Sequence, residues 1–104
     1  MFCAKTYKTM YGILLAICDY DLVGSKLEHE SSIIKVSSEF YCDKKITSEE
    51  AILLMKKATC LNLLGNKIVE IALKKGYVHK DSIMYLKTKK GEKIPYAIVQ
   101  LINL

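Results

Sequence analysis

The sequence predicts an α+β domain, and three observations carry that prediction. Two apolar segments at the N-terminus, Phe2 to Lys8 and Ile13 to Asp19, flank a short connection that ends in glycine. Thr47-Ser48-Glu49-Glu50 reads as a helix start and leads into a run of strong helix formers. The chain has 104 residues, of which 51% are hydrophobic and 26% charged. That is the composition of a globular protein and the length of one domain, residues 1–104, around a single core.

Taken in order, Phe2 to Lys8 and Ile13 to Asp19 are expected to form an antiparallel hairpin closed by Thr9-Met10-Tyr11-Gly12. The second strand is apolar on both faces, which places it centrally with cover on each side. Asp19 to Gly24 reads as a turn or one helical turn, with Asp19 capping it and Gly24 ending it. Ser31 to Phe40 carries Ile33-Ile34-Lys35-Val36 and predicts a third strand. Glu50 stands three residues after Thr47, the spacing of a capping box, so a helix is predicted from Glu49 to Leu64. Gly65 interrupts that run, and Lys67 to Lys75 predicts a second helix ended by Gly76. One unbroken helix over this whole stretch would reach about 40 Å, too long for so small a domain. Ile83 to Leu86 and Ala97 to Leu104 complete the elements as two strands, with Pro95 at the start of the last or on an edge. The expected architecture is a helix pair packed on an antiparallel or mixed sheet of about five strands, in the order β-β-β-α-α-β-β.

No apolar run approaches the roughly 20 residues of a membrane span, and Met1 to Lys5 lacks the pattern of a signal peptide. A cytoplasmic location and no membrane partner are therefore expected. Cys3, Cys18, Cys42 and Cys60 are far apart and form no C-x-x-C pair, so neither a metal nor a cofactor is expected. Free, buried cysteines suit a reducing compartment. The alternative is a disulfide between Cys3 and Cys18, which a symmetric hairpin sets directly opposite one another.

Catalysis finds little support. His29 lies in Glu28-His29-Glu30 and His79 in a basic connector, both reading as solvent-facing, and no nucleophile elbow or phosphate loop is present. Asp19 and Asp21 read as turn and cap residues before catalytic carboxylates.

Charge is the sharpest signal. All 16 basic residues are lysine. Residues 1–46 hold six lysines and six acids, whereas residues 47–104 hold ten lysines and five acids, so the whole net charge of +5 belongs to the second part. Lys56, Lys57, Lys74, Lys75, Lys80, Lys87, Lys89, Lys90 and Lys93 are candidate phosphate contacts to ribosomal or other structured RNA. Without arginine, recognition of backbone and shape is expected before base reading, with Tyr77, Tyr85 and Tyr96 available for stacking. The bland reading is that lysines at helix ends oppose the helix dipole and those in the loop keep the surface soluble.

Phe2-Cys3, Cys18-Asp19 with Leu22 and Gly24, Phe40-Tyr41, and Ala58-Thr59-x-x-Asn62-Leu63-x-Gly65 with Val69 and Ala72 together resemble the small archaeal proteins of domain of unknown function 424. The resemblance departs at Pro95-Tyr96-Ala97, where the family often has Pro-His-Ala. It implies an archaeal cytosolic protein and supplies no activity, so Cys18, Asp19, Gly24, Asn62 and Gly65 are motif positions without an assigned role. By analogy with small basic archaeal domains, the leading expectation is a non-enzymatic RNA-binding accessory of the ribosome or translation. The runner-up is a homo-oligomeric or partner-binding domain using a small-residue face of Ala58, Gly65 and Ala72. An enzyme centred on Cys18-Asp19 is third.

Overall fold

The computed structural model describes residues 1–101 and contains eight strands and three helices in the order β1 (Phe2–Thr9), β2 (Gly12–Asp19), β3 (Lys26–His29), β4 (Ser32–Lys35), α1 (Ser38–Tyr41), β5 (Lys44–Ile46), α2 (Ser48–Lys57), β6 (Cys60–Leu64), α3 (Asn66–Lys74), β7 (Met84–Lys87) and β8 (Lys93–Gln100). All strands join one sheet in the order β4-β3-β7-β8-β6-β2-β1-β5. The pairing is antiparallel except between β2 and β6. The class is α+β, as expected, with more strands than the sequence suggested.

The N-terminal hairpin forms in the expected register, Thr9 opposite Gly12 and Cys3 opposite Cys18. β2 is indeed covered on both faces. Leu15 and Ile17 pack under α2 and α3 with Leu61, Leu63, Ile68 and Val69, while Ala16 and Cys18 face a second cluster with Cys3, Leu64, Leu86 and Ile94.

Four expectations are corrected. The helix predicted to Leu64 stops at Lys57, because Ala58 turns to an extended conformation and Cys60 to Leu64 become the strand between β2 and β8. Local propensity favours helix there, but Leu61 and Leu63 alternate with Asn62, and burying that alternation in mid-sheet outweighs propensity. The predicted third strand over Ser31–Phe40 is half of a hairpin with β3, turning at Glu30-Ser31, and Ser38–Tyr41 is a helical turn. Asp19 makes no cap bond to the 3-10 turn Tyr20–Leu22 that follows it. Cys3 and Cys42, expected to be free, form a disulfide with each other, and the alternative partner Cys18 stays a thiol: α1 ends beside β1, where the Asp43 N–H bonds the Ala4 carbonyl at 3.1 Å, and this brings the two Cα atoms within 4.6 Å.

β7 and β8 lie within a few residues of their predicted positions, and the Ile102 to Leu104 part of the predicted last strand falls outside the described residues. Pro95 is the third residue of β8, and its carbonyl accepts from the Gly65 N–H at 3.0 Å. Its missing N–H therefore faces the β6 side at a point where β6 has already ended, which is why a non-edge strand tolerates it.

Candidate nucleic-acid interface

The motif positions resolve first, and they resolve as architecture. The Asp19 carboxylate, 6% exposed, accepts from the Ile68 N–H through Oδ1 and the Lys67 N–H through Oδ2, each at 2.9 Å, so it caps α3 across 48 residues of sequence. Burial raises its pKa above the usual carboxylate range against the opposing pull of these two N–H bonds. Gly65 has φ +125°, and a Cβ there would stand 2.4 Å from Asp19 Cγ, so the tight junction of β6 and α3 requires glycine. Thr59 does the same at the opposite end of β6. Its hydroxyl accepts from the Ile13 N–H at 2.9 Å and donates to the Ile13 carbonyl at 3.1 Å, with Gly12 packed against it. Asn62 Oδ1 accepts from the Tyr41 hydroxyl at 2.6 Å, and Nδ2 donates to the Tyr96 hydroxyl at 3.4 Å. Tyr96 thus belongs to a hydrogen-bonded chain on the side of the sheet away from α2 and α3. Cys18 is fully buried in the core, and that burial pushes its thiol up to about 12, aided by Asp19 and Asp21. Gly24, at φ +87°, serves a turn in which its N–H bonds the Val36 carbonyl at 2.8 Å.

The small-residue face named for the runner-up is unavailable to a partner. Ala58, Gly65 and Ala72 are all buried, and they come from a helix end, a strand–helix junction and a second helix, not from one continuous stripe.

The nine candidate lysines do not share one surface. α2 runs from the end of β5 to the start of β6, and α3 returns from the end of β6. Lys56, Lys57, Lys74 and Lys75 therefore gather at the end of the sheet where β2 and β6 begin. Lys74 is paired there with Glu70 at 3.0 Å, and Lys80 lies in the 3-10 turn before β7. Lys87, Lys89, Lys90 and Lys93 belong to the β7–β8 hairpin, whose turn projects beyond the opposite end, past the Leu64–Tyr96 pair that closes β6.

Strand register defines the environment of that second group. Ile33 pairs with Glu28, Glu28 with Lys87 and Lys87 with Lys93, so these four form one row on one face across β4, β3, β7 and β8. Lys26 and its partner Lys35 lie two residues to one side of that row on the same face, and Tyr85 on β7 lies two residues to the other side. This is the face that α2 and α3 cover, but those helices pack on β1, β2, β6 and β8 and leave the β4-β3-β7 wing open. Lys26, Lys35, Lys87 and Lys93 are all exposed there. Tyr85 is 51% exposed, with the Lys93 ammonium 6.0 Å from its ring centroid. A groove of about 470 Å³ runs beside it, lined by Glu28, His29, Glu30, Tyr85, Lys87 and Lys89 among others.

Lys26 and Lys35 were missed in the sequence because they lie in its electrically neutral part. The signal was a two-residue turn at Glu30-Ser31, which sets Lys26 opposite Lys35 once both flanks are read as strands.

Among the described residues, no group of three or more His, Cys, Asp and Glu side chains is placed to hold a metal, and no helix is long and apolar enough to cross a membrane.

Fold and site together define a small α+β protein whose helices roof half of a mixed sheet and leave a lysine-bearing wing open. The sequence profile of a protein family of unknown function, DUF424, matches residues 7–95, and the chain belongs to that family. The fold is shared with the crystal structure of an uncharacterized conserved protein from Methanopyrus kandleri, with a TM-score of 0.78 at 21% identity over 99% of this chain and 93% of that one. No curated protein matches the chain.

Proposed function

We propose that the protein is a non-enzymatic RNA-binding accessory, acting in an archaeal cytoplasm on ribosomal or other structured RNA, and that the open β4-β3-β7 wing with the start of β8 is its contact surface. The observation that carries this reading is that four exposed lysines from two distant parts of the chain, Lys26 and Lys35 with Lys87 and Lys93, share one open sheet face with the half-exposed ring of Tyr85. Lysine ammoniums on a flat platform suit phosphates, and an exposed tyrosine among them suits an unpaired base. Lys89 and Lys90 extend the same positive region at the tip of the hairpin. Lys56, Lys57, Lys74, Lys75 and Lys80 stand apart from it and fit the solvation and helix-dipole roles better.

Ultraviolet crosslinking of the protein to RNA in native extract, followed by peptide mapping, tests the surface. Crosslinks on the peptide holding Tyr85 are expected, and they should fall as salt rises. Crosslinks confined to the ends of α2 and α3, or RNA recovery insensitive to salt, would contradict the proposal.

A second reading, docking of a protein strand, rests on β4. It is an edge strand with no outer neighbour, exposed throughout, with Ile33 69% exposed. Light scattering of the purified protein separates the two: a stable oligomer that Ile33→Lys dissolves favours docking.

A further inference from the structure

Two carboxylates line the groove beside Tyr85, and a surface serving phosphates alone would not keep them. Glu28 sits in the same cross-strand row as Lys87, yet neither it nor Glu30 forms an ion pair with a lysine of the groove. The Glu30 carboxylate lies 4.0 Å from the His29 Nε2. Glu30 also has φ +56° and is the one non-glycine residue with positive φ among the described residues. It occupies the first position of a two-residue hairpin turn where glycine, asparagine or aspartate is the low-cost choice. A glutamate held at such a position, in a groove of this composition, is a strained placement that points to use of the side chain.

A carboxylate repels phosphate and accepts hydrogen bonds from neutral donors. Beside a polynucleotide whose phosphates lie on lysines and whose base lies on Tyr85, the neutral donor present at every nucleotide of RNA and missing from DNA is the ribose 2′-hydroxyl. Acidic side chains serve ribose hydroxyls in this way in dinucleotide sites.

We infer that the groove between the β3–β4 turn and the β7–β8 hairpin discriminates RNA from DNA, with Glu28 and Glu30 accepting hydrogen bonds from ribose 2′-hydroxyls of a strand stacked on Tyr85. This inference rests on the nucleic-acid reading above, and it assigns that site its sugar. The same carboxylates lower affinity for any polyanion lacking the hydroxyl, so selectivity arises by penalising DNA as well as by rewarding RNA.

The test compares oligouridine with oligodeoxyuridine of about ten nucleotides, a length in the range of single-strand binding sites, by fluorescence anisotropy at low salt with the full chain. Because both strands carry uracil, they differ only at the 2′ position. Wild-type protein is expected to bind the RNA roughly tenfold more tightly, the scale of a hydrogen bond to a charged group. Glu28→Ala and Glu30→Gly should each shrink that ratio while tightening the DNA. A purely structural role would move both polymers in the same direction. Glycine at position 30 relieves the positive φ, so this variant keeps the turn while losing the carboxylate. Equal binding of the two polymers by wild-type protein, or a ratio that both variants leave unchanged, overturns the inference and leaves the RNA-contact surface standing. Failure of the RNA to bind in a salt-dependent way overturns both.

Discussion

The roofed half of the sheet and the open wing use their polar residues in opposite ways. Under and beside the helices every polar motif residue is satisfied within the fold: Asp19 by two backbone N–H groups, Thr59 by the Ile13 backbone, and Asn62 by two tyrosine hydroxyls. No buried side-chain polar atom among the described residues lacks a partner. On the wing, Lys26, Lys35 and Lys87 make no side-chain bond to another group, and Lys93 has only the distant ring of Tyr85. The lesson is that the residues giving the sequence its family signature maintain the fold. The residues that face outward without partners are ordinary in sequence and become a group only through strand register.

Substitutions should separate the two regions, beginning with the largest effect. Gly65→Ala introduces a Cβ into the Asp19 carboxylate at a positive φ, and should cost about 3 kcal/mol in urea unfolding. Asp19→Ala leaves the Lys67 and Ile68 N–H groups without their acceptor, and should cost about 1–2 kcal/mol. Tyr85→Ala on the wing should leave stability within about 0.5 kcal/mol, while weakening single-stranded RNA by about 1–3 kcal/mol. A turnover abolished by replacing Asp19 in a protein that stayed fully stable would break the comparison from the other side.

Smaller effects sharpen it. Cys18, with its thiol pushed up to about 12 by burial, should resist iodoacetamide at pH 8 in the native protein, whereas half-buried Cys60 should react. Thr47→Ala removes the hydroxyl that accepts from the Glu50 N–H in the capping box on α2, and should cost about 1 kcal/mol without touching RNA binding.

Much of the roofed half was legible in the sequence because its signals are local. The Thr47 capping box, the glycine-closed hairpin and the doubly apolar β2 each act over a few residues. The exception, β6, shows where local reading stops: Cys60 to Leu64 carries helix formers, and only the presence of β2 and β8 on either side decides for strand. Asp19 was read correctly as a cap but assigned to the adjacent turn, since nothing in sequence connects it with a helix that starts 47 residues later. The wing was only half legible. The Lys87 to Lys93 cluster stood out by density, but Lys26 and Lys35 join it through three successive strand pairings, and charge counted along the chain assigned them to the neutral part. Cys42 eluded prediction for the same reason: α1 brings it to Cys3 from 39 residues away.

The salt dependence of RNA binding tests the central claim most directly. The measurement compares wild-type protein, a variant with Lys26, Lys35, Lys87 and Lys93 changed to glutamine, and a variant with Lys56, Lys57, Lys74 and Lys75 changed to glutamine. Each phosphate contact on a single strand contributes about 0.7 to the slope of log affinity against log salt. The wing variant should lose up to about 3 units of that slope together with most of its affinity, and the helix-end variant should track wild type. The reverse ranking, or equal losses in the two variants, would contradict the assignment of the open wing as the RNA-binding surface.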